Sequence, residues 1–175
     1  MKTKTTLTAL LAFLLLTASE CEIEQDFTKL PPETQEGKNT FGCLINGEIF
    51  VKGSAPWMHS QINACYFNTQ EMLSVGAWLH PSGYMRLDVQ KPIIGEQNNA
   101  YLCSYCSENY NDNFLCFGGK NIGIITLTRF DTVGLVVSGS FSFDGQYCDS
   151  NLAPIGDSII NVTEGRFDVK FKTYE

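Results

Sequence analysis

Residues 135–143, LVVSGSFSF, decide the fold. Leu135, Val137, Gly139, Phe141 and Phe143 alternate with Val136, Ser138, Ser140 and Ser142. A period of two sends these sets to opposite faces of an extended strand, one for a core and one wetter. Upstream, Ile122–Phe130 runs into Asp131-Thr132, a turn signal, so the two segments are expected to pair as an antiparallel hairpin. Downstream, Asp144-Gly145 predicts another turn. Ile159–Val162 and Arg166–Tyr174 flank Glu164-Gly165 and predict a last hairpin. In that closing segment Phe167, Val169 and Phe171 belong to one face. Arg166, Asp168, Lys170 and Lys172 belong to the other, expected in water.

The same grammar extends toward the N-terminus. Thr40–Ile45 meets Asn46-Gly47, the strongest short hairpin signal, before Glu48–Lys52. Gln61–Asn68, Met72–Leu79 and Tyr84–Val89 follow, with Ser82-Gly83 as a turn; Ala100–Ser104 and Phe114–Phe117 are further short strands. About ten such strands, with turns every 8–12 residues, predict an all-β domain over residues 40–175, an antiparallel β-sandwich or barrel-like sandwich. Aromatic residues at 12% and charged residues at only 18% agree with that class. Trp78, inside a strand, reads as core.

Residues 1–20 read as a signal peptide. Lys2 and Lys4 precede an apolar stretch, Leu7 to Leu16, too short to span a bilayer. Thr17, Ala18 and Ser19 are small, and Cys21 follows Glu20. A cysteine after a small-residue box is the acceptor of a diacylglyceryl group in lipoproteins. Glu20 departs from that box, and cleavage after Ser19 is the competing reading. Residues 21–39, polar and carrying Pro31-Pro32, read as a flexible tether between a lipid on Cys21 and the domain. The expected location is the outer membrane, at the cell surface, with periplasmic or secreted as the alternative. The expected partners are the membrane, through Cys21, and an unknown protein or glycan.

Setting Cys21 aside leaves Cys43, Cys65, Cys103, Cys106, Cys116 and Cys148, an even number suited to three disulfides in an oxidising compartment. Cys103-Ser-Tyr-Cys106 lacks the helix N-terminus that a redox CxxC needs. A zinc site from Cys103, Cys106, Cys116 and Cys148 has the right count but only one CxxC, so no metal is expected. No cofactor is expected either. The histidines are His59 and His80, and no Gly-x-Ser-x-Gly elbow exists, so no catalytic residue is nominated. Asn109–Asn113 resembles a calcium loop only in its spaced oxygens. Asn161-Val-Thr163 matches a glycosylation acceptor inside a strand. Trp57, after Pro56, is the possible ligand contact: an aromatic for a sugar ring or a partner. A net charge of −7 repels phosphate backbones, so nucleic acid is not an expected partner.

Two parts of the chain carry a resemblance. LPPETQEGKNTFGCLINGEIF, Leu30 to Phe50, is similar to the opening of an uncharacterised family of lipoproteins from Bacteroidetes-type bacteria. ITLTRFDTVGLVVSGSFSF with VTEGRFDVKF is similar to that family's closing strands. The resemblance implies an exported, lipid-anchored β domain and names no active residues. It also implies that Glu22, Glu24 and Asp26 act as a surface-export signal. The expectation is a non-catalytic binding or scaffolding domain. The alternatives are a small exported carbohydrate-active enzyme and a metal-organised cysteine-rich domain.

Overall fold

Alternation at 135–143 becomes a strand with Val137, Phe141 and Phe143 in the core. The computed structural model describes residues 26–53, 62–97, 102–108, 114–120, 122–148 and 153–175. Among these there are strands and no helix. The strands are β1 (Thr40–Ile45), β2 (Glu48–Lys52), β3 (Ile62–Phe67), β4 (Met72–His80), β5 (Tyr84–Gln90) and β6 (Gly95–Gln97). They continue with β7 (Leu102–Glu108), β8 (Phe114–Lys120), β9 (Ile124–Asp131), β10 (Val136–Cys148), β11 (Pro154–Lys170) and β12 (Lys172–Tyr174).

All twelve belong to one sheet, ordered β11-β1-β2-β4-β5-β7-β8-β10-β9-β6, with β3 and β12 beside that path. β11 takes β1 on one edge and β10 on the other, so the sheet curls back around its own inner face. Pairing is antiparallel except between β12 and β3. The expected all-β antiparallel class therefore holds.

Turn chemistry explains the tight connections. Asn46 and Gly47 both have positive φ, 51° and 84°, the two-residue turn that matches strand twist. Between β9 and β10, Asp131 Oδ1 accepts from the backbone N–H of Val133 and Gly134 at 3.0 and 2.8 Å. That side-chain turn closes the hairpin expected at Asp131-Thr132.

Two expected turns do not exist. Asp144-Gly145 lies inside β10, which runs on beside β11, with Asp144 opposite Asn161. The Asp144 carboxylate accepts from Asn161 Nδ2 at 2.6 Å, a cross-strand contact that keeps the pair extended. Glu164-Gly165 is no hairpin either, because β11 passes straight through it. Two residues of β11 face one on each neighbour: Glu164 and Gly165 lie against Cys43 between the pairs Thr163–Leu44 and Arg166–Gly42, and Thr163 and Glu164 lie against Ser142 between Val162–Phe143 and Gly165–Phe141. Glu164 has φ 50°, so this is a β-bulge, not a reversal.

The core fills from the inner faces. Phe41, Phe141 and Phe167 meet with ring centroids 5.2 to 6.4 Å apart. Gly165 makes room for one of them, since a Cβ there would lie 2.6 Å from the Phe141 ring. Each such buried ring contributes roughly 2–3 kcal/mol. Trp78 is not in this core. It lies on the outer face of β4, half-buried, because Ala77 and Leu79 take the inward positions.

Candidate binding surfaces

The segment expected to be a free tether is laid on the domain from its described start at Asp26. Asp168 of β11 is the reason. Its position in the alternation points it away from the core, yet it is 1% exposed. Oδ1 accepts from Gly37 N at 2.8 Å and Ser138 Oγ at 2.7 Å. Oδ2 accepts from Thr34 Oγ1 at 2.5 Å, Glu36 N at 3.0 Å and Lys38 N at 3.2 Å. Burial pushes this carboxyl up, but the hydrogen bonds from Thr34, Ser138, Gly37 and Lys38 outweigh it and hold it at about 2. A buried carboxylate needs donors, and the strap supplies them. Further along the strap, Gln35 O accepts from Arg129 Nη1, and Phe27 packs against exposed His80, with ring centroids 4.4 Å apart and planes tilted at 44°. The strap and the closing strands thus meet at one clamp, through Thr34, Arg129, Ser138 and Asp168.

Beside the strap, the outer face of β9, β10 and β11 holds an open groove of about 330 Å³. Thr126, Ser140 and Ser142 give it hydroxyls; Glu33, Glu164 and Arg166 give it charge. Arg166 Nη1 stands 3.9 Å from Glu33 Oε1 and Nη2 3.5 Å from Glu164 Oε2. The two glutamate side chains are 72% and 60% exposed and share one arginine, so the groove is built for polar contact.

A second surface lies on the outer face of β4, β5 and β7. Trp78 and Tyr84 are opposite in register, with ring centroids 5.1 Å apart and planes at 53°. Tyr84 leans across Gly76, where a Cβ would stand 2.0 Å from its hydroxyl. Burial raises the Tyr84 phenol above its ordinary value. Two residues along, Arg86 donates through Nε to Asp88 Oδ1 at 3.0 Å, and Nη2 stands 2.9 Å from Oδ2. Asp88 is 2% exposed, whereas the Arg86 side chain is 45% exposed. The bond to Asp88 raises the guanidinium further.

The cysteines part from the expectation of three disulfides. Cys43, Cys65 and Cys103 are free thiols. Cys43 and Cys103 point into the core, where burial pushes both up to about 12, so they pack as small neutral hydrophobes. Cys106 is disulfide-bonded. Cys116 lies directly opposite Cys106 in β8, and Cys148 directly opposite Cys116 in β10. Among the described residues, no three His, Cys, Asp or Glu gather closely enough to hold a metal ion. Asn161 is in β11 and spends its side chain on Asp144. Cys21, Trp57, His59 and the loop Asn109–Asn113 lie outside the described residues.

Asp168, Arg166 and the Arg86–Asp88 pair were not singled out by the sequence. The only signal was a charged residue at every second position of a strand, which reads equally well as a solvated face. No protein-family model, no curated protein and no solved structure matches this chain.

Proposed function

We propose that this chain is an exported protein, anchored in the outer membrane through a lipid on Cys21, whose β domain is a non-catalytic binding module at the cell surface. The observation that carries this reading is the strap. Residues behind the lysine-flanked apolar segment and Cys21 run into a stretch clamped on the fold by Asp168. A chain tethered at Cys21 would so present its domain from a fixed exit point near His80, where Phe27 is seated. The outer faces support binding over catalysis: their polar groups are paired with one another in open surfaces.

In the oxidising compartment this implies, Cys106 pairs with Cys116, its register partner. The resemblance to Bacteroidetes-type lipoproteins supports the same destination. The test is metabolic labelling with an alkyne fatty acid, comparing the chain with Cys21→Ser. We expect label and membrane retention to disappear in the variant, and surface protease to reach the labelled protein. Equal label in both proteins would retire the anchor. Oligosaccharides incubated with the protein are expected back intact, and any cleavage would replace the binding reading with an enzymatic one.

A further inference from the structure

Resting on the reading of this domain as a binding module, we propose that the outer face of β4, β5 and β7 takes a neutral saccharide, stacked on Trp78 and Tyr84 and hydrogen-bonded to Arg86. A sugar ring presents an apolar C–H face and a rim of hydroxyls. Its site therefore needs an aromatic surface with a few fixed polar groups a ring's width away. Trp78 and Tyr84 form such a surface: both are half-buried, and their planes meet at 53° to make a corner. Gly76 is the residue that lets Tyr84 lie across β4, for any side chain there would collide with it.

Arg86 follows Tyr84 by two residues on the same face, about 7 Å along the strand. Asp88 holds the guanidinium from its Nε and Nη2 side, which leaves Nη1 directed away from the carboxylate. Burying Asp88 carries a desolvation cost that an ordinary exposed ion pair avoids. What that cost secures is an oriented, half-exposed donor beside two aromatic rings. Charge selects the class of ligand. Asp88 offsets Arg86 locally, and a chain with net charge −7 repels acidic saccharides, so the face suits a neutral one.

The experiment titrates the full-length protein in detergent with cellohexaose, laminarihexaose, maltohexaose and mannohexaose, and with polygalacturonate as the acidic comparison, read by calorimetry and tryptophan fluorescence. We expect saturable binding of at least one hexaose, with an affinity that salt leaves unchanged. Trp78→Ala and Arg86→Gln are each expected to weaken it about tenfold or more. Val133→Ala, in the exposed turn between β9 and β10, is expected to retain it. Thermal melts check the fold, and if Trp78→Ala does not fold, Arg86→Gln decides. Absence of heat with every hexaose would overturn the proposal. So would binding that survives Arg86→Gln, binding lost in Val133→Ala, or binding confined to polygalacturonate. Fatty-acid labelling at Cys21 is read independently, so failure here leaves the anchor standing.

Discussion

Asp168 shows how one side chain can reverse its surroundings. Strand alternation assigns it to water, yet five donors from the strap and Ser138 enclose it. Its carboxyl is held at about 2, below the ordinary 3.8, and each unit is worth about 1.4 kcal/mol, so the clamp contributes on the order of 2 kcal/mol. Because the folded value is depressed, that stability is complete above the ordinary carboxylate value. It is lost as the pH falls from about 4 toward about 2. Asp168→Asn is expected to cost about 3 kcal/mol in urea melts at neutral pH and to flatten the acid limb of stability. An unchanged acid limb would assign that pH dependence to other carboxylates.

Among the elements, β11 carries the most consequential irregularity. The extra residue at Glu164 bends the strand where it serves β1 and β10 at once, and it places Gly165 against Phe141. Gly165→Ala drives a methyl into that ring and is expected to lower stability by about 2 kcal/mol in chemical denaturation. Glu164→Gly removes a side chain from a left-handed backbone and is expected to be neutral or stabilising by up to about 1 kcal/mol. A large loss in that variant would mean that its contact with Arg166, not the backbone, sets the bulge. In β7, Cys106→Ser removes the Cys106 disulfide and is expected to cost about 2–3 kcal/mol, read as a lower Tm that reductant no longer changes.

For the whole molecule, the thiols of Cys43 and Cys103 report global opening, since both are fully buried in the core. Iodoacetamide is expected to modify them only at the unfolding rate, and Cys65 sooner, as followed by mass spectrometry. Rapid modification of Cys103 in the native protein would place it outside the core. The fold class was legible because burial imposes a local period: Val137, Phe141 and Phe143, or Phe167, Val169 and Phe171, announce a strand without reference to any partner. The Asn46-Gly47 turn was legible for the same reason, as its backbone angles are a property of those two residues. Asp144-Gly145 and Glu164-Gly165 misled, because neighbouring strands kept an intrinsically turn-prone pair extended in one case and bulged in the other. The strap, the clamp at Asp168 and the Trp78–Tyr84–Arg86 face depend on residues far apart in the chain. Local pattern thus determined which segments are strands and which of their faces is apolar. Only the tertiary structure decided which outward residues are covered and which cysteines are crosslinked, because those depend on what the curled sheet brings near them.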